Sequence, residues 1–561
     1  MTTPVPPGSE PPTRGALRWV MRRRLAGTVL AAALLCGHQL GEALVPVIVG
    51  VAIGTAVATG EPAAMLFWLG ALAADFAFLS LCYRFGARAG ARLRLGAAHD
   101  LRMRVVARIL DPRGMRAADT GEVLTVATSD ARRVGETVRA LVSAIAALVA
   151  VVFAVAFVAA TSLLLASVVA VGAVLAVTVL ARLSRPLERR SDTEQSASAA
   201  TASLGADLVA GLRTIKGLSA ERAASDRYRR QSRLSLGHAV HAGTFEGTLD
   251  GVAVAVVGLY LAVVAILGAA LALSGALGIG ALIAVLGLAQ FIVGPLQTLG
   301  SFGVPLARGR ASAKRLDALL ARPVALTGCA PLGAGSAIAD LRVEQFGLRL
   351  TGGRITGVVL PEPRDAVTLV DLLAAEALPE SGRVLLGDAD TATTDPEAWR
   401  AVVLATRHRE MLFDDTLADA VLADGRAELW SETIVASAVD DIVGRLPEGE
   451  STRLGEQGGR LSGGERQRVV LGRSLAADRD VLVLHDPTTA VDTVTEAIIA
   501  RGIRRMRDSR TTVIIATSPA LLESCDTVLF VHRDGVAEGT HAELASADGP
   551  VGAAYRRAVL R

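Results

Sequence analysis

The sequence predicts an α-helical transmembrane domain followed by an α/β domain, on three observations. The chain has 561 residues, of which 51% are hydrophobic and 20% charged, too apolar for a purely soluble protein. Its apolar residues crowd before about residue 310, in uncharged runs far longer than a core helix needs. Beyond about residue 340, short β-branched runs alternate with helical segments, the pattern of a sheet with parallel strands.

The first 13 residues, "MTTPVPPGSEPPT", are Pro-rich, lack the basic start of a signal peptide and are expected to be disordered, as part of a tail covering residues 1–20. The membrane domain is assigned to residues 21–320. Two spans, about 25–58 and 63–83, meet at "TGEP". No charged residue occurs from Ala140 to Ala181 or from Gly251 to Ala307. At roughly 20 residues per crossing each run holds two spans, with reversals at Thr161-Ser162 and Ser274-Gly275, which makes six helices. Arginines crowd "RWVMRRR", "YRFGARAGARLRLG", "RLSRPLERR", "RYRRQSRL" and "ARGRASAKR", whereas the three opposite loops hold no Lys or Arg. Basic loops stay cytoplasmic, so both termini are expected on the cytoplasmic side of the plasma (inner) membrane.

Residues 84–139 and 182–250 are charged, Ala- and Arg-rich and nearly free of proline, as helices continuing into the cytosol would be. About 25 extra residues per helix reach roughly 35 to 40 Å. The pattern breaks at "DPRGMRAADTGEV" (111–123) and "AGLRTIKGLSAER" (210–222), bent tips suited to short transverse helices that dock on a cytosolic partner. A linker is placed at 321–339 and the α/β domain at 340–561, with strands "RITGVVL", "GRVLLG", "AVVLAT", "DVLVLHD", "TTVIIAT" and "TVLFVH".

The net charge of +3 reflects the basic flanks and gives no reason to expect nucleic-acid binding. Cys36, Cys82, Cys329 and Cys525 lack ligand spacing, and the pair His238 and His241 has no acidic or Cys companion, so no metal site is expected.

The strongest signal is "LSGGERQRVVLGRSLAADRDVLVLHDPTTAVD", residues 461–492. Ser462, Gly463 and Gly464 open a helix, where unpaired N–H groups and the dipole favour an anion, and glycines permit close approach. This stretch resembles the signature motif, Walker B strand and D-loop of ATP-binding cassette (ABC) transporters. The six spans with long extensions, "STRLGEQGGRLSGGERQR", "LFDDTLADAVL" (412–422) and "DGVAEGTHAEL" (534–544) extend the resemblance to an ABC exporter half-subunit, a membrane domain fused to a P-loop-NTPase-like nucleotide-binding domain. The resemblance implies that two such chains make a transporter. It implies that the bent tips are coupling helices, and that Leu461, Ser462, Gly463, Gly464, Glu465 and Asp492 meet ATP held by the opposite chain.

The chain's own nucleotide site departs from that pattern. In "GVVLPEPRDAVTLVDLL" (357–373), where a P-loop would read GxxxxGK[ST], Leu360 and Asp365 stand for glycines, Ala366 for the lysine and Val367 for the Mg²⁺-binding hydroxyl, and Pro363 removes an N–H. The last lysine of the chain is Lys314. Walker B carries His485 at the Mg²⁺-ligating aspartate and Asp486 at the general-base glutamate; His408 occupies the Q-loop glutamine position and Thr517 the switch-histidine position. Histidine suits hard Mg²⁺ poorly. The expectation is a catalytically degenerate subunit of a heterodimer, ATP and Mg²⁺ being held mainly by a homologous partner with intact Walker A, Walker B and switch histidine. It would export a small amphiphile, drug or peptide. Import of a siderophore, a non-transporting scaffold homodimer, and a passive pore or receptor are the alternatives.

Within the spans, His38, Glu42, Asp75, Glu246 and Asp250 mark a possible substrate path, because intramembrane ionisable groups usually face an interior or a water-filled route. Such a path would suit a cationic or amphipathic substrate, and helix contacts or a proton-sharing carboxyl explain the same residues.

Overall fold

The computed structural model describes residues 15–57, 60–115, 120–333, 339–408, 410–423 and 425–559. They form two compact units, one helical and ending at Ala321, the other comprising Arg322 onward together with a short excursion beginning at Arg108.

The helical unit opens with α1 (Ala16–Arg23), which buries Ala16 and Val20 and exposes Arg18, Arg22 and Arg23. Its Trp19 ring lies 4.3 Å from the Arg104 guanidinium and 5.5 Å from that of Arg23. The expected tail 1–20 is therefore helical from Ala16, because Ala16 and Val20 supply an apolar face that the arginine density conceals; residues 1–14 lie outside the described residues. Next come α2 (Leu25–Ala52), with Pro46 inside it, a π-turn (Ile53–Val57) and α3 (Pro62–Ile109). Arg24 at the start of α2 donates to both carboxylate oxygens of Asp100 on α3, at 2.8 and 2.9 Å.

Then follow α4 (Thr120–Thr125), a second π-turn (Val126–Asp130) and α5 (Ala131–Thr161). Ser162 is extended and caps α6 (Leu163–Ala210) by accepting from the Leu165 N–H, which makes the first predicted reversal. α7 (Leu212–Gly217) is the short helix expected at the second tip; α8 (Glu221–Leu273) then runs to the reversal at Ser274 and Gly275, where Gly275 takes a φ of 77°. The last span is broken into α9 (Ile279–Phe291), α10 (Val293–Ser301) and α11 (Gly303–Leu320). Among the described residues, six helices are long and apolar enough to cross a membrane. At 1.5 Å per residue the 48 residues of α3 span about 72 Å, more than twice a hydrocarbon core.

Helices α2 and α9 touch at Gly50 and Gly280, where a Cβ on either would overlap the other's carbonyl oxygen. The fully buried Asp130 accepts from Ser312 Oγ and Arg315 Nε, each at 2.8 Å, and ties the base of α5 to α11.

The second unit holds two sheets. The antiparallel one, β2-β1-β4-β5, joins β1 (Leu341–Val343), β2 (Leu348–Leu350), β4 (Val384–Leu386) and β5 (Ala389–Asp390). The larger one has the order β10-β9-β3-β8-β7-β6. Its members β3 (Ile355–Val359), β6 (Val403–Thr406), β7 (Val481–His485), β8 (Thr511–Ile515) and β9 (Thr527–His532) pair in parallel, and β10 (Gly535–Gly539) closes the edge antiparallel to β9. Every residue of β3, β7 and β8 is buried, as in parallel sheets covered on both faces. "GRVLLG" is a correction: its β4 belongs to the antiparallel sheet, because Val384–Leu386 pair with Leu341–Val343, a strand too short to stand out in the sequence.

The helices around these sheets are α12 (Pro363–Leu373), α13 (Pro396–Val402), α14 (Leu417–Leu422), α15 (Trp430–Ala436), α16 (Asp440–Arg445), α17 (Gly463–Ala476), α18 (Thr493–Met506), α19 (Pro519–Glu523), α20 (His541–Ser546) and α21 (Gly549–Val559).

The linker placed at 321–339 is partly built into this unit. Leu326 is 1% exposed within the main apolar cluster, and Cys329 and Ala330 N–H groups donate to Thr393 O. The first bent tip belongs to this unit as well. Asp111–Gly114 make a turn, the Arg113 carbonyl accepts from the N–H groups of Ala325 and Leu326, and Arg400 Nη1 donates to Pro112 O at 2.7 Å. A transverse helix is absent from 111–115, and 116–119 lie outside the described residues.

Candidate functional site

In open parallel sheets ligands sit beyond the carboxyl ends of the strands. At the end of β3 the chain turns through Leu360–Glu362 and enters α12 at once. Leu360 and Ala366, each 7% exposed, pack in one apolar cluster with Val358, Leu369 and Val370. Pro363 has no N–H, and the Asp365 N–H already donates to Glu362 O at 3.0 Å. Glu362 occupies the N-cap position without a side-chain cap. Val367 is 48% exposed and presents no polar atom, and the Thr368 hydroxyl donates back to Arg364 O. Leu360 and Ala366 are thus buried at the two ends of the turn, while Pro361–Arg364 between them are exposed.

The structure brings three further candidates together beside it. His485 ends β7 and is buried; its Nε2 lies 3.7 Å from Asp486 Oδ2. The ring of His408 is centred 6.1 Å from that of His485, and its buried Nδ1 has no hydrogen-bond partner among the described residues. Asp486 takes a φ of 46° as its N–H donates to Ile515 O, so the turn after β7 is fixed by β8. Burial pushes the Asp486 carboxyl up and the His485 imidazole down, disfavouring charge on both. No group of His, Cys, Asp and Glu with metal-site geometry occurs among the described residues. Thr517 is exposed just past β8, ahead of Ser518, which caps α19.

The signature segment is built differently. Ser462 is the N-cap of α17 in a complete capping box: its hydroxyl accepts from the Glu465 N–H, and Glu465 accepts from the Ser462 N–H at 2.8 Å. That backbone donor, followed by the Ser462 side chain and then Arg445, holds the Glu465 carboxyl below its ordinary range. Leu461 is buried and anchors the turn, while Ser462 and Gly463 are exposed. The two glycines differ. A Cβ on Gly464 would lie well inside contact distance of the Ala490 carbonyl oxygen, so packing within the chain demands glycine there. A Cβ on Gly463 would meet only Ala490 Cβ at 3.8 Å, an ordinary contact, so nothing in this chain requires it.

Gln467, which the sequence did not single out, joins this helix to the next loop: Nε2 donates to Thr489 Oγ1 at 2.7 Å and Oε1 accepts from the Ala490 N–H at 2.8 Å. Asp492 caps α18, accepting from the Val494 and Thr495 N–H groups, and is exposed.

In the helical unit, His38 Nδ1 contacts Leu79 O at 3.1 Å and Nε2 lies 3.7 Å from Glu42 Oε2. Asp75 on α3 is buried against Gly41 of α2. Glu246 and Asp250 are exposed on α8 and form no ion pair among the described residues.

Two family profiles match the chain: the ABC transporter transmembrane region over residues 28–296 and the ABC transporter nucleotide-binding region over 367–489. The chain belongs to the ABC transporters. It is a transmembrane region fused to a nucleotide-binding domain, the half-transporter architecture. A bacterial Atm1-family ABC exporter solved with ATP bound has the same fold, with a TM-score of 0.74 over 96% of this chain and 99% of the other at 22% identity. Among curated relatives, the mycobactin import ATP-binding/permease protein IrtB of Mycolicibacterium thermoresistibile is 34% identical over 297 residues, 50% of this chain and 51% of that protein. The ATP-dependent lipid A-core flippase of Xylella fastidiosa is 27% identical over 391 residues, 66% of each. The ABC ATPase fold brings ATP and Mg²⁺ as the general cofactors of such a domain.

Proposed function

We propose that this half-transporter is the catalytically degenerate subunit of a heterodimer, lending its signature segment to ATP and Mg²⁺ held by a homologous partner. The observation that carries this is the contrast between its two phosphate-facing ends. The turn Leu360–Ala366 buries Leu360 and Ala366 at its two ends, carries the acids Glu362 and Asp365 and lacks an N–H at Pro363, whereas Ser462 and Gly463 are exposed at a capped helix start and, at Gly463, free of any packing reason to be glycine. Leu461 positions that helix start, Ser462 and Gly463 offer it to a γ-phosphate, and Glu465 and Gln467 fix its geometry toward the Asp492 loop. His408, His485, Asp486 and Thr517 take no part in hydrolysis. In this reading both termini lie in the cytoplasm and the spans cross the inner membrane.

The deciding experiment compares ATP turnover by the purified chain, by the chain co-expressed with its partner, and by a pair carrying Ser462→Ala. The reading expects turnover only from the unmodified pair; ATPase activity of the purified chain equal to the pair's would overturn it.

The cargo is proposed to be a small amphiphile, drug or peptide moved outward. A second reading, inward transport of a siderophore, is favoured by the 34% identity to the mycobactin import protein. Uptake of an iron-loaded siderophore by cells with and without the chain separates the two directions.

A further inference from the structure

We propose that His38, Glu42 and Asp75 form an intramembrane cation site that takes the protonated amine of an amphiphilic cargo; the word cargo rests on the transporter reading above, the site itself on the geometry. Asp75 lies within α3, inside a span, and is 9% exposed. Its Oδ2 is buried without a hydrogen-bond partner among the described residues, and no described Lys or Arg pairs with either oxygen. A carboxylate left so in hydrocarbon is costly unless a cation or a proton neutralises it.

The other side of the site belongs to α2. Gly41 lies against Asp75 and Leu79, and a Cβ at Gly41 would stand 3.3 Å from Asp75 Oδ1, so the absence of a side chain there keeps the buried carboxylate beside α2. The next residue, Glu42, has a side chain 51% exposed, and its one polar neighbour among the described residues is His38 at 3.7 Å. Glu42 thus faces the His38 imidazole while Asp75 meets α2 at the preceding residue, Gly41, and with two carboxylates and one imidazole at least one negative charge stays unmatched even with His38 protonated.

Aromatic rings favour an organic cation over a bare proton. Phe78 abuts Gly37 and Gly41, the Tyr83 ring is centred 5.0 Å from that of His38, and Phe76, Phe78 and Tyr83 are each about half exposed on α3. Carboxylates supply the charge for an ammonium group, and ring faces accept the cation and the apolar body it carries.

The test uses the full chain in lipid nanodiscs, with ethidium as a fluorescent monocation and dodecylammonium and dodecanol as charged and neutral competitors. Saturable ethidium binding is expected, displaced by dodecylammonium and not by dodecanol, weakened about tenfold or more by Glu42→Gln and by Asp75→Asn, and retained by Asp75→Glu. Equal affinity of Glu42→Gln and Asp75→Asn to the native chain, equal displacement by dodecanol, or no binding at all would overturn it. The readout needs neither partner nor ATP. A pair that hydrolyses ATP yet binds no ethidium refutes the cation site alone, and a chain that binds ethidium but never turns over ATP with any partner refutes the transporter reading alone.

Discussion

The adjacent glycines of the signature segment give the sharpest test, because identical substitutions one residue apart should fail in opposite ways. Gly464→Ala drives a methyl into the Ala490 carbonyl of a rigid turn that Gln467 also holds, an overpacking that costs about 1–3 kcal/mol. At about 2–4 °C per kcal/mol for a unit of this size, the nucleotide-binding unit should melt roughly 2–12 °C lower. Gly463→Ala meets only a methyl at 3.8 Å, and loss of a glycine at a compatible helical position stabilises by about 0.4–1 kcal/mol. Its melting temperature should hold or rise. On the proposed pairing, however, the new methyl would stand where the partner's γ-phosphate approaches, and a displacement of about 1 Å costs on the order of 100-fold in rate. Differential scanning calorimetry of each variant and ATPase assays of each pair read the two effects separately. Full ATPase activity with Gly463→Ala, or a destabilisation equal to that of Gly464→Ala, refutes the claim that Gly463 serves a ligand outside this chain.

Three other outcomes follow from the same structure. Ala366→Lys should not restore ATP binding to the isolated chain, because residue 366 points into the apolar cluster of Leu369 and Val370; calorimetry should instead register a loss of stability, and Mg²⁺-dependent ATP binding by this variant would show the site to be one substitution from competence. Arg400→Ala removes three donors, to Pro112, Ala374 and Ala375 carbonyls, and should cost about 1–3 kcal/mol while raising amide exchange at Ala325 and Leu326, whose N–H groups hold the same turn. Asp111 is held below its ordinary range, chiefly by the side-chain hydrogen bond from Arg113. A depressed carboxyl contributes stability above its unfolded value of about 3.9 and loses it as pH falls through the lower folded value. Exchange at Ala325 and Leu326 should thus be flat from pH 8 to 5 after correction for intrinsic rates, rise below about pH 4, and rise already at neutral pH in Asp111→Asn.

What the sequence disclosed follows from physics that acts locally. Uncharged runs of bilayer length gave the spans, Ser162 and Gly275 marked their reversals, and Ser462 with Glu465 announced a capped helix start. What it hid depends on neighbours distant along the chain. "GRVLLG" has strand composition, but only its pairing with Leu341–Val343 puts it in the smaller sheet. That Ala366 stands where a P-loop pattern would read lysine was expected from the sequence, whereas its burial with Leu360 in one apolar cluster was not. Gln467 looked like one more polar residue in "GERQR" until the fold brought Thr489 and Ala490 to its amide. Asp75 was plain as an intramembrane acid, but that one of its oxygens goes without a donor among the described residues appears only when α2 lies beside it.

The turn at Asp111–Gly114 has a mechanical consequence. The polypeptide leaves the helical body after Ala107, anchors among the residues of the nucleotide-binding body, returns before Thr120, and departs for good after Ala321. One thread thus passes three times between the two bodies, so they are joined covalently at more than one place along the sequence.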